Sequence, residues 1–231
     1  KEMSLYAIGD LHFSGAVNKP MNIFGDNWDN HDKKIIDSWN KNVSKEDTVL
    51  ILGDTSWANN MIEAKVDLDI INNLAGKKIL IKGNHDYWWS TVTSLNKLYD
   101  DMKFLQTNFY TYEDYAICGG RGWICPNKFK FDEQDEKIYL REENRIRLSL
   151  KEAKKQGYKK IIVMSHYPPT NDELEESLFT NLYEEYNVEM VIYGHLHGEE
   201  SFKMGLQGYR NDVYYRLASC DYTNFNLVKI K

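Results

Sequence analysis

Five short apolar runs in this chain end the same way, in a turn that delivers an acid, an amide or an imidazole. The run at 5–8 leads into Gly9-Asp10-Leu11-His12, and the run at 49–52 into Gly53-Asp54. Residues 79–82 are followed by Gly83-Asn84-His85-Asp86, and residues 161–164 by Ser165-His166. The last of the five, 191–193, opens into Gly194-His195-Leu196-His197. Runs this short and this rich in β-branched residues read as buried strands. Functional sites of α/β sheets assemble at the carboxyl ends of strands, where a glycine allows a sharp turn and close backbone approach.

Helical stripes lie between the runs. Ile62, Val66, Ile70 and Leu74 recur every four residues, as do Leu174, Leu178, Leu182 and Tyr186. A third stripe, Ile146, Leu150 and Ala153, stops at Gly157, a residue suited to ending a helix. Strands alternating with helices predict parallel pairing in an α/β layered architecture. The segments at 104–112, 115–118 and 202–218 have short connections and read as antiparallel hairpins. The pattern therefore predicts a mixed sheet, or two packed sheets flanked by helices. No linker, repeat or low-complexity tract divides the 231 residues, so one domain over 1–231 is expected.

Histidine usage narrows the chemistry. Of six histidines, His12, His85, His166, His195 and His197 fall at the strand ends, and only His31 lies elsewhere. Burying five imidazoles with Asp10, Asp54 and Asn84 would leave repulsion and unmet hydrogen bonds unless a cation joined them. In Asp10-x-His12 and His195-x-His197, side chains two residues apart on an extended segment face the same way, so each pair can grip one site. Imidazole mixed with carboxylate suits zinc, manganese, iron or nickel, whereas calcium wants oxygen and structural zinc wants sulfur. The ligand supply exceeds what one tetrahedral ion uses, and two divalent ions sharing a carboxylate are the economical solution.

In this order and at these gaps, GDLH, GD, GNHD, SH and GHLH resemble the motifs of the calcineurin-like metallophosphoesterase superfamily, and within it those of small bacterial phosphohydrolases. The resemblance spans residues 9–197. It implies an α/β/β/α sandwich of two mixed β-sheets flanked by helices, with a dinuclear metal site at the strand ends. It also implies that Asp10, His12, Asp54 and His197 hold one ion, and that Asp54, Asn84, His166 and His195 hold the other, Asp54 bridging. His85 would contact phosphate and protonate the leaving oxygen. Two departures stand out. Asp54 is followed by Thr55-Ser56-Trp57 where relatives carry further charged residues, and Ser165 replaces a common glycine. The first removes a usual partner of the catalytic imidazole, leaving Asp86 as the candidate support.

Arg121, in Cys118-Gly119-Gly120-Arg121-Gly122-Trp123, is a candidate phosphate contact, since a guanidinium can grip phosphate bidentately. The Asn/Asp-rich aromatic stretch at 22–31 is a candidate cover for the site, although Asn30 could instead cap a helix carrying Ile35, Ile36 and Trp39. Trp88 falls in phase with Val92, Leu95 and Tyr99 and reads as an anchor for the helix that follows. Tyr87 and Trp89 are open between packing and lining the cleft. A net charge of −6 without a basic stripe argues against long nucleic acid and favours a small phosphorylated substrate. Three cysteines in no metal-binding spacing, with no signal-like apolar segment and no membrane span, fit a cytoplasmic protein. The expected activity is hydrolysis of a phosphate mono- or diester. The alternatives are a nuclease of the same superfamily or a non-catalytic metal-binding scaffold.

Overall fold

The computed structural model describes residues 2–231. In chain order the elements are β1 (Leu5–Ile8), α1 (His31–Asn42), β2 (Thr48–Ile51), α2 (Met61–Asn73), β3 (Lys77–Leu80), α3 (Val92–Leu95), β4 (Met102–Phe104), β5 (Tyr110–Tyr112) and β6 (Tyr115–Gly120). Then follow α4 (Glu133–Lys155), β7 (Lys160–Ser165), α5 (Leu178–Glu185), β8 (Met190–Tyr193), α6 (Glu199–Phe202), β9 (Gly208–Arg210), β10 (Val213–Leu217) and β11 (Val228–Lys229). They form two sheets, ordered β11-β1-β2-β3-β4 and β5-β6-β7-β8-β10-β9. Inner neighbours are parallel, while β11, β5 and β9 pair antiparallel at the edges, so both sheets are mixed.

Alternation along each strand builds the layers. In β2, Val49 and Ile51 face α1 and α2, where they meet Trp39, Leu68 and Ile71. Leu50 faces the other way and packs with Leu5, Ala7, Ile162, Met164 and Ile192 between the sheets. In β7, Ile161 and Val163 face α4 and α5, beside Ile146, Leu150 and Phe179. Strands buried on both faces must be apolar throughout, which is why they read as unbroken apolar runs rather than alternating ones. The α/β/β/α sandwich expected from the sequence is the fold.

Local details differ from the sequence reading. Helix α2 forms, capped by Asn60 accepting from the Glu63 N–H, but Ile62, Val66 and Ile70 of its expected stripe face solvent and only Leu74 packs on the core. Ile62 is 85% exposed, and Ala64, Leu68 and Ile71 turn inward instead. A strict four-residue repeat drifts around a helix of 3.6 residues per turn; a mixed three- and four-residue spacing stays on one face. The stripe from Leu174 fails at its start. Ser177 caps α5 through the N–H groups of Phe179 and Thr180, and Leu174 lies before that cap with φ 58°. The stripe on α4 is buried as expected, and Gly157 follows it with φ 91°. Residues 102–104 pair parallel with β3 rather than forming a hairpin, whereas 110–117 and 208–215 do form hairpins. Trp88 is buried against Phe104 and precedes α3, which is a single turn.

Candidate metal centre

The five strand ends converge. Ligand atoms of Asp10, His12 and His197 lie within 4.8 Å of one another, and so do those of Asp10, Asp54 and His166. His166 Nε2 stands 2.8 Å from Asn84 Oδ1, 3.3 Å from His195 Nδ1 and 3.4 Å from Asp54 Oδ2. His12 Nε2 is 3.7 Å from Asp54 Oδ2, and His197 Nε2 is 3.5 Å from Asp10 Oδ1. All seven residues singled out as ligands thus surround one small volume.

The glycines make this approach possible. A β-carbon on Gly83 would sit 2.1 Å from Asp54 Oδ1, and one on Gly194 would sit 2.4 Å from Asp10 Oδ2. Each glycine therefore clears space for a carboxylate from a neighbouring strand end. The ligands themselves bear backbone strain. Asp10, His12, Asp54 and His195 have φ of 61°, 45°, 51° and 70°. Such angles are uncommon away from glycine and gather at functional sites.

The donor set fits divalent cations. His166 Nδ1 is held by the Leu52 carbonyl at 2.8 Å and His197 Nδ1 by Asp221 at 2.9 Å. With those protons committed, both Nε2 atoms face the site and would offer lone pairs to a cation that displaced their own protons. His166 Nε2 and His195 Nδ1 both face Asn84 Oδ1, at 2.8 and 3.2 Å, so three atoms able to offer a lone pair converge on one point. A cation satisfies that arrangement. Its electrostatics agree. Burial opposes a charge on Asp54, yet His166, His12 and the His85 N–H at 2.8 Å hold its carboxyl well below the usual range. Burial also opposes charge on His166, which Asp54 nevertheless raises to about 9. His197 is raised to about 10 by Asp10 and Asp221 against the same burial. Protons here occupy positions a metal would contest.

His85 sits beside this cluster. Its Nδ1 is 3.3 Å from the Tyr87 hydroxyl, and its ring lies 4.5 Å from Trp57, centroid to centroid. Trp57 also stacks on His12 at 4.8 Å. Burial lowers the His85 imidazole below its ordinary value, with Asp54 pulling the other way.

Asp86 does not support His85. Its carboxylate accepts the backbone N–H groups of Gly83, Asp54, Thr55 and Ser56 and the Trp88 indole N–H, at 2.7–3.3 Å. It ties the β2 and β3 ends together instead. Burial and the nearby Asp54 push this carboxyl up to about 7. Arg121 is likewise committed elsewhere. Its guanidinium pairs with buried Glu142 at 2.9 Å and lies over Trp123. His31 is buried, with Nε2 at 2.9 Å from the Leu11 carbonyl, and Asn30 precedes α1 without a side-chain cap bond.

Sequence reasoning passed over Asp221, which also grips the Gly198 N–H at 3.0 Å. It too lies just beyond a strand end, that of β10, but no glycine flags it. A cavity of about 380 Å³ opens over the ligands, walled by Phe24, Trp28 and Trp57, so the stretch at 22–31 does line the site.

Among solved structures, a protein of unknown function from Aquifex aeolicus is similar over 99% of this chain and 96% of its own, at TM-score 0.55 and 18% identity. Phosphopantetheinyl hydrolase from Mycobacterium tuberculosis matches over 99% and 96%, at TM-score 0.49 and 14% identity. Comparison with curated protein sequences returns no match. No helix among the described residues is long and apolar enough to cross a membrane. The family model for calcineurin-like phosphoesterases matches residues 3–199, a span holding all five strand-end motifs. The chain belongs to the calcineurin-like phosphoesterase family and is a phosphoesterase.

Proposed function

We propose that this chain, as one domain over residues 1–231, hydrolyses a phosphate mono- or diester of modest size at a dinuclear metal site. The observation that supports this best is the convergence of seven ligand residues on one volume with an uncommitted imidazole edge beside it. Asp10, His12, Asp54 and His197 would hold one divalent ion; Asp54, Asn84, His166 and His195 would hold the second. Zinc, manganese, iron and nickel all suit this donor set. When bound, the ions supply a hydroxide at neutral pH and stabilise charge on the phosphoryl oxygens.

The protein's own groups do the rest. Tyr87 occupies His85 Nδ1, which leaves Nε2 to give its proton to the departing oxygen. Asn84 is a neutral ligand and keeps the site positive toward a phosphate anion. Trp57 and Trp28 pack on the ligand rings and wall off solvent.

The test is metal-reconstituted protein assayed side by side on a phosphomonoester and a phosphodiester. Turnover of at least one is expected, and His85→Ala should keep its metal while losing most activity toward poor leaving groups. Full metal loading with turnover of neither ester would overturn the proposal in favour of a metal-binding scaffold.

A further inference from the structure

A second cavity lies on the other side of His195. It measures about 300 Å³, and its lining includes Ile124, Phe129, Tyr167, Thr170 and Leu196, with His195 common to both cavities. The partition between them is thin. One face of the His195 ring is covered by Tyr167, at 4.2 Å between centroids, and Tyr167 is itself a wall of the second cavity.

Two features mark this cavity as a binding space rather than a packing fault. Phe129 is 86% exposed at its edge, a large aromatic surface left without cover. Thr170 lines the cavity, and its hydroxyl, buried behind that wall, has no hydrogen-bond partner. A buried hydroxyl left unmet is costly, and a ligand group that reached it by a small shift of this wall would meet it.

The two cavities have different relations to the chemistry. His85 and Trp57 line only the first, so a leaving group whose oxygen receives the His85 proton must lie on that side. A phosphomonoester has no further substituent and would leave the second cavity empty. A diester has one more, which in an in-line displacement points to the side of the axis joining the attacking and leaving oxygens. We infer that the second cavity is the subsite for the non-leaving ester group of a phosphodiester, and that this group is an apolar or aromatic one of roughly ring size. The inference rests on the hydrolase reading for the direction of the leaving group. It thereby selects diesters over monoesters as the substrate class.

The test compares diphenyl phosphate with phenyl phosphate on the metal-loaded protein, by calorimetric titration and by turnover. The wild type should favour the diester. Phe129→Ala, at an exposed position where folding is not at risk, should lower the diester-to-monoester ratio of affinities roughly three- to tenfold, the worth of one aromatic contact. Phe129→Tyr should restore it. Equal affinity for the two esters, or a ratio indifferent to Phe129→Ala, overturns the subsite whether or not turnover occurs. A diester preference that depends on Phe129 without any turnover would uphold the subsite and sink the hydrolase reading instead.

Discussion

The Asp86 carboxylate accepts the backbone N–H of Asp54 at 2.8 Å, so one acid fixes the loop that presents another. The same carboxylate holds Gly83 at 2.7 Å, immediately before Asn84. Two strand ends that contribute ligands are thus keyed to a single buried side chain.

Asp86→Asn keeps the shape but replaces one acceptor oxygen with a donor amide that faces N–H groups. Losing these charge-assisted bonds should cost about 2–4 kcal/mol of stability. Denaturant unfolding of metal-free protein measures this directly. A change under about 0.5 kcal/mol, the range of ordinary surface substitutions, would refute the clamp.

Asp221 orients His197 from behind, at 2.9 Å from Nδ1. Asp221→Asn should weaken metal binding roughly 10- to 100-fold, the usual effect of removing a carboxylate behind a histidine ligand. Metal titration with a competing chelator would show it. Unchanged affinity would mean that Gly198 and the packing of Trp28 against His197 suffice.

Tyr87 is the polar partner of His85 that the sequence left undecided. Tyr87→Phe should lower kcat about fivefold, equivalent to one hydrogen bond near 1 kcal/mol, for esters with alkoxide leaving groups. Esters with good leaving groups, which need little protonation, should be nearly unaffected. An equal loss on both substrate types would point to a general structural effect rather than to orientation of the acid.

Lys78 is buried in β3, with its ammonium on the Asn72 and Leu74 carbonyls at the end of α2. Burial pushes it down to about 8 from 10.5. Between those values the unfolded chain binds the proton and the folded chain does not, so stability contributed at this position rises with pH across about 8 to 10.5. The stability of wild type relative to Lys78→Met should therefore increase over that interval. Unfolding midpoints of the two proteins at pH 7.5, 9 and 10 give the answer, and a flat difference would contradict it.

Much of this molecule was legible because its strands are buried on both faces and its ligands stand directly beyond them. The run at 5–8 is a strand with the same bounds, that at 191–193 lies within β8, and each residue proposed as a ligand reached the central volume. What escaped was set by contacts across the chain. Whether Asp86 faces His85 or the β2 loop depends on where Asp54 lies in space, which local pattern does not encode. Arg121 looked free among glycines, yet Glu142 reaches it from a helix 21 residues on. On α2, Leu68 and Ile71 won the core over Val66 and Ile70 because the helix docks by its three-and-four spacing.

The left-handed backbone angles at Asp10, His12, Asp54 and His195 have a thermodynamic consequence. A chain released from the sheets would abandon those angles at once, and the coordinating geometry with them. Ions can then add free energy only to the native state, so their hold and the integrity of the two sheets are a single linked equilibrium. Raising free metal should lift the unfolding midpoint steadily with the logarithm of its concentration. On heating, ions and sheets should be lost in one step, with no stage at which an open chain still carries its metal.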